Sequence, residues 1–263
     1  MELGLKGKVA LVAAASKGLG RAVAEEFAAE GCRVVICARD AEVLNRTAEE
    51  ISEKHSAEVL PVAADVSSSA GIRALHATAT GKFGPIDIAV TNAGGPPSGK
   101  FEEIQLDEWE RAFHLTLMSA VELVYLVLPA MKERKWGRIL NITSIAAKQP
   151  VDNLILSNSL RAAVTGFART LANEVAPFGV TVNNLLPGYT LTDRVDQLTR
   201  ASASKEGVGV PEILARWEAQ IPMKRLGAPR EFAALAAFLA SERASYITGQ
   251  SIGIDGGWIR SLH

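Results

Sequence analysis

Ser144, Ser157 and Arg161 are the residues whose types and spacing suggest chemistry. A strand-like run, residues 138–143, ends at Ser144; a polar loop with Pro150 follows, and a helix is expected from about Asp152 or Asn153, either of which would cap it. Ser157 and Arg161 are four residues apart, so on a helix they share one face, one turn apart. Two hydroxyls and a cation would converge near the strand end. A serine can hydrogen-bond a carbonyl but is a far weaker acid than a phenol, whose pKa is about 10. A guanidinium holds its proton at ordinary pH. Arg161 would therefore stabilise a developing oxyanion or grip a carboxylate with its planar fork, and would not relay protons.

A second group of residues lies near the start, where the apolar run 8–13 gives way to Ala14-Ala15-Ser16-Lys17-Gly18-Leu19-Gly20-Arg21 and a helix. Glycines at a strand-to-helix turn let backbone N–H groups approach a pyrophosphate, and the helix N-terminus attracts its charge. Ala14 suits this role only if its backbone avoids positive φ, which a β-carbon disfavours.

The elements that must position these residues alternate. Strand-like runs 8–13, 33–38, 58–64 and 86–91 are separated by amphipathic runs 18–30, 41–55 and 69–83. A long helix over 107–134, with Pro129 expected to bend or end it, precedes the Ser144 strand. A sixth strand over 180–186, a helix over 230–241 and a last strand near 250–254 follow. Nearly continuous apolar strands call for a parallel sheet covered on both faces, so the expected fold is α/β, a doubly wound parallel sheet in one Rossmann-type domain spanning 1–263.

Composition agrees. The chain has 263 residues, 48% hydrophobic and 22% charged, with net charge -1, which suits one large domain and does not point to nucleic acid. No uninterrupted apolar run of about 18 residues and no signal-peptide pattern stand out, so no membrane partner is expected and a cytoplasmic location is. Cys32 and Cys37 lie at the two ends of one strand and face opposite ways, so they are expected to be unpaired buried thiols. No metal-ligand set is expected.

Taken together the motifs resemble the short-chain dehydrogenase/reductase family, and in particular its 3-oxoacyl-[acyl-carrier-protein]-reductase-like branch. Gly18 and Gly20 match the last glycines of Thr-Gly-x-x-x-Gly-x-Gly, with Ala13 and Ala14 in place of the first two residues. Asp65-Val66 matches an adenine contact, Asn92-Ala93-Gly94 the family's Asn-Ala-Gly signature, and Pro187-Gly188-Tyr189-Thr190-Leu191-Thr192 the segment that holds a nicotinamide amide. The catalytic pattern departs from the family: Ser157 and Arg161 occupy the tyrosine and lysine positions of Tyr-x-x-x-Lys, and Thr116 the position of an asparagine on the long helix, leaving Ser144 unchanged.

The resemblance implies a nicotinamide cofactor held by Ala14, Ser16, Lys17, Gly18, Leu19, Gly20, Arg39, Asp65, Val66, Asn92, Ala93, Gly94, Arg161, Pro187, Gly188, Thr190 and Thr192. NADP(H) is expected over NAD(H), because Ala38-Arg39 replaces an acidic residue at the second strand end and Lys17 joins Arg39 to suit a 2′-phosphate; Asp40 is read as a helix cap. The expected activity is a carbonyl or alcohol oxidoreductase on a small-molecule substrate, with Ser144, Ser157, Arg161, Thr116 and Tyr189 as catalytic candidates and Tyr189 as first choice for a substitute proton source. The alternative is a catalytically silent nucleotide- or metabolite-binding protein on the same fold. Residues at about 191–220 resemble the family's substrate lid, and the Gly249–Gly257 region a strand that pairs subunits, implying a homo-oligomer, dimer or tetramer.

Overall fold

Each apolar run can bury two faces and each amphipathic run one, and the chain satisfies both by laying helices on either side of a sheet. The computed structural model describes residues 2–262. In order come Val9–Val12 (β1), Gly18–Ala29 (α1), Arg33–Ala38 (β2), Ala41–His55 (α2), Val59–Ala63 (β3), Ser69–Phe83 (α3), Ile88–Thr91 (β4), Leu106–Phe113 (α4), Ser119–Glu133 (α5), Gly137–Ile142 (β5), Ile155–Val175 (α6), Val180–Pro187 (β6), Asp193–Glu206 (α7), Val210–Gln220 (α8), Pro229–Ala240 (α9) and Ser251–Ile254 (β7). The strands form one sheet in the order β3-β2-β1-β4-β5-β6-β7, all parallel. The fold is the expected doubly wound Rossmann-type α/β domain.

Alternation along β1 sends Ala10 and Val12 to one face and Val9 and Leu11 to the other. The first face is covered by α1, α2 and α9 through Phe27, Leu44 and Phe232; the second by α3, α5 and α6 through Leu75, Val127 and Leu171. Cys32 belongs to the first cluster and Cys37 to the second, so the two thiols are buried, unpaired and on opposite faces. Burial pushes their pKa values up to about 12 and about 11.

A polar ladder crosses the sheet beneath the strand ends. Thr91 Oγ1 donates to Asn141 Oδ1 (2.7 Å), Asn141 Nδ2 to Asn184 Oδ1 (3.0 Å), and Asn184 Nδ2 to Ser251 Oγ (3.0 Å). Asn141 and Asn184 are almost wholly buried, and each satisfies the other, so the ladder fixes the mutual register of β4, β5, β6 and β7.

Three local expectations are corrected. Pro129 does not end its helix: α5 runs on to Glu133, because Pro129 and Tyr125, whose carbonyl loses its amide partner, are both on the exposed side. The long helix is interrupted earlier, by a π-helical turn over His114–Met118. By length and composition Leu106–Glu133 would suffice to cross a bilayer, but its Leu123, Val124, Val127 and Met131 are buried on the sheet as in a core helix. Finally, α6 begins at Ile155 rather than at Asp152 or Asn153, and neither caps it: Leu154 is the cap residue, and Asn153 takes a left-handed turn (φ 59°) that asparagine tolerates.

Candidate active site

Strand order reverses between β1 and β4, where their connections leave for opposite faces and a crevice opens beyond the C-terminal strand ends. A cleft of about 540 Å³ occupies this place. Its lining runs from the first turn (Ala14, Lys17, Gly18, Leu19, Gly20) and Arg39, past Asn92, Ala93 and Gly94, to Ser144, Ser157, Arg161, Pro187, Gly188, Tyr189, Thr190 and Thr192.

The glycine turn is built for close approach. Gly18 has φ 56°, a conformation a β-carbon disfavours, and α1 begins without a side-chain cap, so its first amides are left for another acceptor. A β-carbon at Gly20 would run into the Ala14 carbonyl and come within 2.9 Å of Asn92 Nδ2. Ala14 itself adopts φ 47°, so the condition that its backbone avoid positive φ is not met. The turn is held on both sides: Ala13 N donates to Val90 O (3.0 Å) and Ala15 N to Cys37 O (2.9 Å). These bonds override the local preference. Asp40 caps α2 through Val43 N (3.1 Å), as expected. Beside the turn a second hollow of about 360 Å³ is lined by Ser16, Lys17, Arg21, Arg46 and Thr47, and Thr47 Oγ1 donates to Ser16 O (3.0 Å).

Asp65 and Val66 do not line the large cleft. The Asp65 carboxylate accepts from Ser67 N (2.9 Å) and Ser67 Oγ (2.8 Å), and the Ser67 amide chiefly holds its pKa below the ordinary value. Val66 faces a small neighbouring cavity with Ala13 and Asn92.

Ser144 sits at the end of β5 and its Oγ accepts from Ala146 N (3.1 Å). Ser157 and Arg161 follow on α6, on one face as predicted, with Ser157 almost buried. Arg161 Nη1 donates to Ile142 O (2.8 Å) at the end of β5. Burial, then the charge of Arg194, push the Arg161 pKa down to about 10, which leaves it a cation at neutral pH. Thr116 lies in the π-helical turn. Its Oγ1 is buried without a hydrogen-bond partner among the described residues, and Thr116 lines a cavity of about 10 Å³ shared with Asn92 and Arg161, room for about one water.

Gly188 N donates to Ile254 O (3.0 Å), and a β-carbon there would lie 2.6 Å from Asp255 Cα, so glycine is required where β6 passes the end of β7. Thr192 Oγ1 donates to Thr190 O (3.2 Å) and caps α7 by accepting from Val195 N (3.4 Å). Tyr189 stacks on Trp217 of α8 (4.4 Å between centroids) and meets Trp258 edge-on (6.3 Å). Burial, then Asp152, raise its pKa above the ordinary phenol value.

Sequence reasoning missed two residues of this region. Asn158 anchors the substrate-side loop, its Nδ2 donating to Val151 O (3.0 Å) and its Oδ1 accepting from Val151 N (3.2 Å). Arg194, in the first turn of α7, reaches across the cleft mouth and donates to Pro96 O (3.0 Å). The sequence carried no signal for it, because residues 191–220 read only as a lid-like segment and its contact with the loop after β4 is long-range.

A glycine turn at the switch point, a helix N-terminus open to the cleft and a serine at the neighbouring strand end define the scaffold of a dinucleotide-binding oxidoreductase. Comparison with known proteins is specific. Residues 13–259 match the family model described as enoyl-(acyl carrier protein) reductase. The chain is 34% identical to the 3-oxoacyl-[acyl-carrier-protein] reductase FabG of Aquifex aeolicus over 98% of this chain and 99% of that one. It is 32% identical to the NADPH-dependent reductase BacG of Bacillus subtilis, covering 97% and 99%. The structure of L-sorbose reductase from Gluconobacter frateurii, complexed with NADPH and L-sorbose, superposes with a TM-score of 0.95 at 35% identity over 100% of both chains. The chain belongs to the short-chain dehydrogenase/reductase family, as a 3-oxoacyl-[acyl-carrier-protein]-reductase-like member.

Proposed function

We propose that the protein binds NADP(H) and interconverts a carbonyl and an alcohol in a site where Ser157 and Arg161 replace the family's tyrosine and lysine. One observation carries the reading: a single cleft joins the glycine turn to Ser144, Ser157 and Arg161. The NADPH-dependence of BacG and the NADPH complex of L-sorbose reductase support the cofactor choice. When bound, the dinucleotide supplies the hydride. Gly18, Leu19 and Gly20 present backbone amides to its pyrophosphate, with Ala14 and Ser16 shaping the turn. Lys17 and Arg39 take the 2′-phosphate. Asp65 and Val66 border the adenine side, Asn92, Ala93 and Gly94 the floor, and Pro187, Gly188, Thr190 and Thr192 the nicotinamide amide.

Ser144 orients the carbonyl, and the Arg161 cation stabilises the oxygen as charge grows on it. Thr116 and Ser157 offer hydroxyls on either side of Arg161, and Tyr189 is the nearest phenol for a proton. Residues at about 191–220, here α7 and α8, act as a substrate lid over a small-molecule substrate. A homo-oligomer, dimer or tetramer, and a cytosolic location, in keeping with two free buried thiols, complete the reading.

A second reading, a silent binding protein, draws on one observation: the Tyr189 phenol is stacked under Trp217 with a raised pKa, so its proton is held more tightly. Titrating the purified protein with NADPH and NADH, then assaying reduction of activated ketones, tests both. Preferential NADPH binding with turnover supports the enzyme; NADPH binding with no turnover supports the silent protein; no binding of either nucleotide overturns the proposal.

A further inference from the structure

Charge in the cleft is unbalanced. Among the described residues Lys17, Arg39, Arg161 and Arg194 line it against a single carboxylate, Asp193, which is 3.9 Å from Lys17. The sheet order separates the four cations. Lys17 follows β1 and Arg39 follows β2, on one side of the switch point, where they are already allotted to the 2′-phosphate. Arg161 lies over the end of β5, and Arg194 packs on the loop after β4, on the other side, where Ser144, Ser157 and Tyr189 also face the cleft.

These last two guanidiniums have little to hold them. Among the described residues the Arg161 guanidinium makes one hydrogen bond, to Ile142 O at 2.8 Å, and that of Arg194 one, to Pro96 O at 3.0 Å. Each carries five N–H donors, so most remain for a ligand. Among the described residues neither ion-pairs with a carboxylate, and the charge that acts on Arg161 is the other arginine. Arg194 is also placed against its helix: it sits in the first turn of α7, where the dipole disfavours a cation. Its guanidinium packs against Gly95, where a β-carbon would be 3.0 Å from Nη2, so the arginine is seated rather than free in solvent. Two partly buried like charges that line one cleft with no carboxylate partner among the described residues are held at a cost that an anion between them would reverse. The neighbouring lining is apolar, with Val151, Leu154, Val195 and Leu198, which suits an organic anion with a hydrocarbon body.

We infer that Arg161 and Arg194 form the anion subsite for the substrate, which is a carbonyl compound carrying a carboxylate within a carbon or two of the reacting carbonyl. The short distance follows from Arg161 being one helical turn from Ser157 at the reacting end of the cleft, and a carboxylate matches the planar fork of a guanidinium. This rests on the proposed carbonyl chemistry of the cleft, but its test does not need turnover.

The NADPH-loaded protein is titrated with phenylglyoxylate and with its methyl ester, following cofactor fluorescence. The acid should bind at least about tenfold more tightly than the ester, as expected for a charge-assisted contact. Arg194→Gln should abolish that preference while changing NADPH affinity less than about threefold, and Arg194→Lys should restore part of it by returning the charge without the fork. Equal binding of acid and ester to the wild type overturns the inference. So does an Arg194→Gln variant that loses NADPH and the acid in the same proportion, because the pair would then serve the cofactor's own pyrophosphate. If the wild type binds no NADPH, the proposed function fails by itself, and calorimetry of acid and ester on the protein alone still decides the subsite: tighter acid binding that Arg194→Gln removes supports it, and equal binding overturns it.

Discussion

Asn92 Nδ2 donates to the carbonyl of Ala14 at 3.2 Å, tying the end of β4 to a residue held at φ 47° in the turn after β1. The bond crosses the switch point and fixes the floor of the cleft. It also explains how a residue with a β-carbon stays in a left-handed conformation that disfavours it by about 1–2 kcal/mol.

Ala14→Gly should relieve that strain, offset by roughly 0.4–1 kcal/mol of extra freedom in the unfolded chain. The expected net effect on stability is from zero to roughly +1.6 kcal/mol, with NADPH affinity not weakened. Gly20→Ala should do the opposite, since its methyl would strike the Ala14 carbonyl: a loss of about 1–3 kcal/mol and of nucleotide binding. Denaturant unfolding and nucleotide titration of both variants check this, and a large loss of affinity in Ala14→Gly would show that the turn serves another ligand.

Arg39→Asp should weaken NADPH binding more than NADH binding, because a charge-assisted contact to the 2′-phosphate is worth roughly 1.5–3 kcal/mol. The comparison of the two dissociation constants is the measurement. Equal loss for both nucleotides, or none, would remove Arg39 from the 2′-phosphate site.

What was legible in the sequence depended on how local its cause was. β1, β2 and β4 showed as apolar runs because each is buried on both faces, Gly20 and Gly188 as glycines where backbone approaches backbone, and Gly18 as a glycine at positive φ. The φ of Ala14 was not legible, because it is set by hydrogen bonds with β2, β4 and Asn92, none of them near in sequence. The start of α6 was misread for a similar reason: the Asn153 carbonyl accepts from Gly99 N, and Asn158 ties back to Val151, so a loop that reads as a capping segment is instead docked on its neighbours. Arg194 became visible only when α7 was placed over the loop after β4. The Asn141–Asn184 ladder was illegible because single buried asparagines reveal no partner until the strands are paired.

Arg161→Met should stabilise the protein in the absence of ligands. The folded-state pKa of Arg161 is lowered to about 10, so the unfolded chain holds that proton more tightly and the group opposes folding at every pH below about 10, the penalty fading only as pH rises through it. Methionine keeps much of the volume without the charge. A gain on the order of 1–3 kcal/mol is expected at neutral pH, reduced by the Ile142 carbonyl left without its donor. The gain should shrink above about pH 10. Thermal unfolding of both proteins across that range measures it, and a variant less stable at neutral pH would mean that Arg161 is compensated inside the protein.

The decisive prediction concerns the replaced pair itself. Ser157 and Arg161 lie on one face of α6 beside Ser144, so Ser157→Tyr with Arg161→Lys puts a phenol and an amine where the family carries them. A positioned general acid contributes about 10²–10⁴ in rate, and reduction of activated ketones with NADPH should rise by at least the lower figure. Ser157→Tyr alone should give less, since the guanidinium can stabilise a phenolate but cannot pass on a proton. If the wild type turns over well and the double variant is inactive, the native chemistry uses Ser157 or Arg161 directly. If neither reduces a ketone although NADPH binds and both are folded, the silent-protein reading gains. Ser157 is almost buried, so the new ring must swing into the cleft; a structure of the double variant, read for the phenol's distance from Ser144 Oγ, separates a misplaced ring from a correctly placed but idle one.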